Sequence, residues 1–256
     1  MKKALSISLV VAVWVALFGW NPFSSYRDVS GIISDGYTTF ETGAYRQPNG
    51  VYVVRALTRM PNVKAEMVKW WFADYMQTSE HYQRWHPRDH VWMDWDNKTS
   101  GRIIGASHLV HEYNGDDLSK LRIEFVDPRN YLDSAEPGPD RFLICAKAGF
   151  LEEPLNVSTM CHIVRNTDWG AEMRSVFWLG HVEARREDGR GNTLVDWFGN
   201  TTLARHVSID EQFAVDLMTH ALEEMGYLAD FLPQLHGHEN SPSEHRARST
   251  RENGEN

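Results

Sequence analysis

Apolar residues recur along this chain at two different periods. Over Val51–Leu57 they are β-branched and alternate, which predicts a strand that Pro61 and Asn62 break. From Val63 to Met76 the spacing turns helical, with Val63, Met67, Trp70 or Trp71, and Asp74 or Tyr75 along one side. A stretch dense in aromatics and histidines follows, SEHYQRWHPRDHVWMDW, and Pro87 argues against a continuous helix through it. Strand-like runs then dominate. Arg102–Tyr113 ends at the turn pair Asn114-Gly115, and Leu121–Val126 places Leu121, Ile123 and Phe125 on one face. Phe142–Ala146, Ser158–Arg165, Met173–Arg185 and Thr193–Asn200 complete the set, with a hairpin loop over Asp188–Asn192. A long helix closes the series. Ser208 and Glu211 form an S-x-x-E capping box at its start. Ile209, Phe213, Leu217, His220, Glu224, Tyr227 or Leu228, and Phe231 share one face.

A helix, several antiparallel strands and a long C-terminal helix make an α+β order. A curved sheet wrapped around the last helix leaves a cavity between them, and the inward face of that helix lines it. Residues 46–236 read as this single domain, with 21–45 as a linker. Residues 1–20 carry two lysines and then an apolar run from Ala4 to Trp20, the pattern of an export signal or N-terminal membrane anchor. The run is about 17 residues, at the low edge for spanning a bilayer. It has no clear A-x-A cleavage site, which leans toward retention as an anchor. The domain is therefore expected on the periplasmic or extracellular side. Residues 237–256 are polar and read as a disordered tail.

The net charge of −9 argues against a nucleic-acid partner. Cys145 and Cys161 fit no metal-binding spacing; they are either a disulfide in an exported domain or two buried thiols. The chain contains no HExxH, G-x-S-x-G or Gly-rich phosphate loop. Its most informative chemistry lies on the last helix. His220 and Glu224, one turn apart, interrupt an otherwise greasy stripe, and a buried carboxylate there calls for a positive neighbour. A divalent metal is one solution; a solvated rim position is the other. His90 ends YQRWHPRDH, and strand alternation sets His108, Val110 and Glu112 on one face. His90, Glu112, His220 and Glu224 together offer two imidazoles and two carboxylates, which suits zinc, with iron or manganese possible alternatives. Glu124 is the rival to Glu112, but it lies opposite the apolar trio Leu121, Ile123 and Phe125.

In chain order, MPNVKAEMVKWWFADY, YQRWHPRDH, GASHLVHEYNG, MCHIVRN, EMRSVFWLGH and MTHALEEMGYLADFLPQL resemble the 2,4-diacetylphloroglucinol hydrolase family. The resemblance spans roughly Tyr45–Leu235. It implies a helix-grip (START-like) fold and a zinc ion held by two histidines and two glutamates, at His90, Glu112, His220 and Glu224. It also implies that Tyr82 touches substrate. Two pocket positions depart from the family pattern: His181 follows Gly180 where the family has a tyrosine, and Met93 or Asp94 stands where a polar contact is expected. The apparent export segment is a third departure.

The function this implies is metal-dependent hydrolysis of a carbon–carbon bond next to a ketone in an acylated phenolic compound. Tyr82 or His181 would hold the developing oxyanion, and His86, His181 or Glu223 would protonate the departing ring carbon. Substrate contacts fall to Tyr82, Met93, Trp178 and His181, and pocket walls to Trp71, Trp85, Trp92 and Trp178. The partner would be a small hydrophobic or aromatic ketone. The alternative is a non-catalytic helix-grip protein that binds a hydrophobic small molecule, with any metal purely structural.

Overall fold

The computed structural model describes residues 29, 31–132, 138, 140–185 and 194–240. Eight strands form one antiparallel sheet in the order β1-β2-β8-β7-β6-β5-β4-β3. They are β1 (Gly43–Arg46), β2 (Tyr52–Pro61), β3 (His90–Asp96), β4 (Ser107–Asn114), β5 (Asp117–Val126), β6 (Arg141–Phe150), β7 (Leu155–Thr167) and β8 (Gly170–Ala184). Each strand pairs antiparallel with its chain neighbour except β2 and β3, between which helices intervene; β2 pairs with β8 instead. At the end of β2, Asn62 adopts a positive φ of 63°, so the break expected at Pro61-Asn62 is a turn that sends the chain off the sheet.

The long helix α5 (Glu211–Glu239) crosses one face of the curved sheet and packs on β2, β1 and β4. This is the helix-grip arrangement. Between β2 and β3 lie α1 (Ala65–Trp70), a π-helical turn (Trp71–Tyr75) and α2 (Ser79–Trp85). They close over the same face. The core beneath them contains Trp71, Tyr82, Trp85, Val110, Phe125, Met225, Leu228 and Leu232. Strand alternation splits the rest of the chain cleanly: Val54, Ala56, Phe177 and Leu179 meet Ala214 and Ala221 of α5. On the opposite face Val51, Val53, Val176 and Trp178 surround the disulfide between Cys145 and Cys161, which sit directly opposite one another on β6 and β7.

Several sequence expectations need correction. The strand expected over Thr193–Asn200 is the helix α3 (Leu194–Gly199), followed by α4 (Thr202–Ser208). Its apolar residues do not alternate, and Asp196 and Asn200 instead bond the backbone of Ala184 and Val182 along β8. The capping box at Ser208 is not formed. Ser208 ends α4, Ile209 is extended, and Asp210 caps α5 by accepting the Phe213 N–H at 2.7 Å. The buried face of α5 runs through Ala214, Ala221, Met225, Leu228 and Leu232, while Phe213 and Tyr227 are exposed. The helix over Val63–Met76 is α1 plus the π turn, and β3 was not anticipated, because a register shift between His90 and Trp92 hides its alternation.

The segment read as a linker is part of the domain from Val29 onward. Ile32 is buried against the outer core, and Arg174 binds Glu41 (2.9 Å) and the carbonyls of Ser34 and Gly36 (both 2.6 Å). At the far end, α5 continues to Glu239, past the expected boundary at 236. Residues 1–20, the loop over Asp188–Asn192 and the tail from 241 onward lie outside the described residues. No helix among the described residues is long and apolar enough to cross a membrane.

Candidate metal centre

Three elements meet under the sheet's concave face: the turn from α2 into β3, strand β4, and the middle of α5. Pro87 ends α2, and the chain turns so that the His90 N–H bonds the His86 carbonyl at 3.0 Å. His90 thus opens β3 and faces Glu112 across the β3–β4 ladder. Its ring stacks on Tyr82 at 3.7 Å, and its Nδ1 lies 2.9 Å from the Tyr82 carbonyl. A carbonyl only accepts, so Nδ1 carries the proton and Nε2 keeps its lone pair. That Nε2 is buried and has no hydrogen-bond partner.

The other donors gather at the same point. His90 Nε2 is 3.7 Å from Glu224 Oε2, and His220 Nε2 is 3.9 Å from it. Ligand atoms of His90, Glu112 and His220 all lie within 4.8 Å of one another. A tetrahedral ion with ligands at about 2.0–2.1 Å needs donor atoms about 3.4 Å apart, so a small contraction closes the set. His86, Asp89 and His220 form a second group of the same kind. His220 is shared, but its Nδ1 faces Asp89 Oδ2 at 3.3 Å and its Nε2 faces Glu224. A carboxylate on one imidazole nitrogen fixes the tautomer that frees the other as a ligand. His86 Nδ1 accepts the Asp89 N–H at 3.1 Å, so its proton is on Nε2, which points at Asp89 (3.4 Å) and Glu223 (3.5 Å). In these tautomers His86 and Asp89 can serve as outer partners of His220.

Burial and mutual charge shift the protonation of the clustered groups. Burial, and then the charge of Glu112, push the Glu224 carboxyl well above the usual range. Burial pushes His90 well below its usual value. Burial and Glu112 raise the Tyr82 phenol, whose O–H donates to Glu112 Oε2. A divalent ion between these groups would offset the cost of charge on the buried Glu224. Trp85 backs the site, donating Nε1–H to the Glu224 carbonyl at 2.9 Å and packing edge-on against His90.

A family sequence model described as the DAPG hydrolase PhiG domain matches residues 23–237. The chain belongs to the DAPG hydrolase family. Within that family it is 26% identical to a 2,4-diacetylphloroglucinol hydrolase of Pseudomonas sp, over 86% of this chain and 78% of that protein. It is 26% identical to phloretin hydrolase of Eubacterium ramulus, over 75% and 69% of the two chains. The crystal structure of Ara h 8.0201 is similar with a TM-score of 0.42 at 10% identity, over 71% of this chain and 97% of that one.

In this DAPG hydrolase family member, the other expected site residues scatter. Tyr82 lies against the cluster. Met93 packs in the inner core opposite Val110. Trp178 is a correction: it is fully buried on the opposite face of the sheet, beside the disulfide, and cannot line this site. Trp92 stacks on His111, which alternation puts on the other face of β4 from Glu112, so it is no wall either. His181 stands at the far end of β8, where Arg205 and Ile209 close on Gly180, and is not part of the donor cluster. Glu124 pairs with Lys147 in the sheet register, opposite in facing to Phe125, which leaves Glu112 as the strand carboxylate. Sequence reading missed Asp89 and Arg88; their only signal was adjacency to His90 in the run R-D-H. His108, which alternation set on the face of Glu112, and His162 are both interior; burial lowers their pKa to about 3 and about 4 and so keeps them neutral.

Proposed function

We propose that this chain is a zinc-dependent hydrolase that removes the acyl group of an acylated phenol by cleaving the bond between ring carbon and carbonyl carbon. The observation that carries this reading is the convergence of His90, Glu112, His220 and Glu224, with both imidazoles held in the ligand tautomer. Family relatives named for 2,4-diacetylphloroglucinol and phloretin support the substrate class. Bound zinc would supply Lewis acidity to the ketone oxygen and to the attacking water.

In the balanced reaction, water adds its oxygen to the acyl carbon, the aryl–acyl bond breaks, and the ring carbon takes a proton. The products are the deacylated phenol and a carboxylic acid. Tyr82 is proposed to steady oxygen charge at the acyl carbon by turning its single O–H from Glu112 Oε2 to the substrate oxygen; its raised pKa keeps that proton in place. His86, which burial keeps neutral, links the inner cluster to Glu223 at the surface, and this pair is the proposed route for the ring proton. Trp71 and Trp85 supply apolar wall against a phenolic ring.

The protein is further proposed to work outside the cytoplasm, held by residues 4–20. The disulfide Cys145–Cys161 supports that placement, since such bonds persist in oxidising compartments. Incubating the full chain with 2,4-diacetylphloroglucinol or phloretin, and following acid release and deacylated ring by chromatography, tests the activity. Release by the wild type that His220→Ala abolishes supports it. Tight binding of the intact phenol without release would instead support the non-catalytic binding protein.

A further inference from the structure

Helices α3 and α4 are amphipathic in the reverse of the usual sense. The side chains they and their junction bury are polar: Asp196, Asn200, Thr201 and Arg205. Asp196 accepts the Ala184 N–H at 2.6 Å, and Asn200 accepts from Val182 N–H and donates to its carbonyl at 2.7 Å. Arg205 donates to the carbonyls of Gly180 (2.7 Å) and Asn49 (3.1 Å). The side chains turned to solvent are Leu194, Val195, Phe198, Leu203 and Val207, and Leu194 and Val207 are each 76% exposed. Leu194 and Phe198, like Leu203 and Val207, are four apart, so each pair shares one helix face. A surface helix ordinarily buries its apolar stripe; a contiguous exposed one marks a contact surface.

We propose that this face seats the domain on a lipid bilayer, with Leu194, Phe198, Leu203 and Val207 entering the boundary between headgroups and acyl chains. The proposal rests on the reading of residues 4–20 as a membrane anchor, which holds the domain within reach of the bilayer. Size favours lipid over a second copy of the chain. Six and seven residues give helices about 9 and 10 Å long. Such a patch is well short of the about 800 Å² per partner that a stable interface uses, whereas interfacial helices need only about 5–10 Å of insertion. Charge sets the kind of attachment. Across residues 194–215 the one basic side chain of fixed charge, Arg205, is buried, and Asp210 and Glu211 flank the patch. Docking is thus apolar, and needs neither anionic lipid nor low salt.

The test uses the full chain in phosphatidylcholine vesicles, with an environment-sensitive fluorophore at Val207→Cys. The control carries it at Leu118→Cys, an exposed site on the β4–β5 hairpin. Flotation first establishes that the chain is bound. The Val207 probe is expected to be blue-shifted and quenched by nitroxide lipids at least about twofold more than the Leu118 probe. This difference should persist between about 0.05 and 0.5 M salt, and fall away when Leu194→Ser and Leu203→Ser are added. Floating chain with equal quenching at both sites overturns the docking face and leaves the anchor intact. A blue shift without lipid quenching also overturns it, assigning the patch to residues 4–20 or to a second copy. Chain that does not float at all overturns the anchor and the docking face together.

Discussion

Replacing Asp89 by asparagine is expected to perturb the proposed metal centre without removing any of the four proposed ligands. Asp89 Oδ2 lies 3.3 Å from His220 Nδ1 and 3.4 Å from His86 Nε2, and both are donors in the tautomers their other contacts require. Oδ1 accepts from Arg88 Nε at 2.8 Å. Burial works against the ionised form, but the hydrogen bonds from Arg88 and His220 hold the Asp89 carboxyl below its usual range. Asparagine has one acceptor oxygen where Asp89 uses two. Its amide N–H then faces either Arg88 or the two histidines, and one donor meets another. The His220 ring loses the partner that fixes its angle and tautomer. Outer partners of this kind are worth about 10–100-fold in metal affinity, or about 1.4–2.8 kcal/mol at 1.4 kcal/mol per tenfold. Zinc competition against a chromophoric chelator reads the change directly, and the visible spectrum of the cobalt-substituted protein reports the ligand geometry. Asp89→Asn should weaken zinc by that factor and alter the cobalt bands, with Asp89→Glu recovering part of both. Zinc affinity within about twofold of wild type, alongside a lowered melting temperature, would refute the reasoning and leave Asp89 a purely structural residue.

Three further outcomes are expected. Tyr82→Phe keeps the ring that stacks on His90 but removes the O–H, so kcat on an acylated phenol should fall about 10²–10³-fold with zinc content unchanged; an unaltered kcat would remove Tyr82 from the chemistry. Cys145→Ala with Cys161→Ala opens a loop of separation 16, worth about 3 kcal/mol by chain entropy, or about 6–12 °C in a thermal melt; no shift would mean the pair adds nothing beyond its burial. In the metal-free protein Glu224 has a raised folded pKa, so the native state holds its proton more tightly than the unfolded chain does. Stability is therefore lost as pH rises from the ordinary carboxylate value of 4.5 through the raised one. Denaturant melts should show Glu224→Gln gaining on metal-free wild type across that rise, and a pH-independent difference would contradict the burial of a charged Glu224.

The sheet strands and the long helix were legible wherever apolar residues alternated or recurred at one helical period, as in Leu121–Val126 and around His220, Glu224 and Leu228 of α5. Three of the candidate donors stand out in the sequence: His220 and Glu224 because they interrupt an apolar stripe, and Glu112 because alternation puts it on the strand face of the buried His108 and Val110. What failed was decided by contacts between distant segments. A bulge after His90 erased the alternation of β3. Side-chain bonds from Asp196 and Asn200 to β8 made a helix of a segment rich in strand formers. Trp178 was assigned to the pocket by its neighbours in the motif, but the face of β8 it occupies follows from parity with Phe177 and Leu179, which point at α5. The segment from Gly31 to Glu41 has loop composition, and bonds from residues distant in sequence, Arg174 to Glu41 and the Ser34 carbonyl and Arg141 to Asp35, make it part of the domain.

The measurement that bears most directly on the metal centre is elemental analysis of the full chain, wild type beside His220→Ala, purified without chelator. About one zinc per chain in the wild type and little in the folded variant is the result the four-donor site requires. Folded wild type with no bound metal, or a His220→Ala variant that retains it in full, would contradict the site.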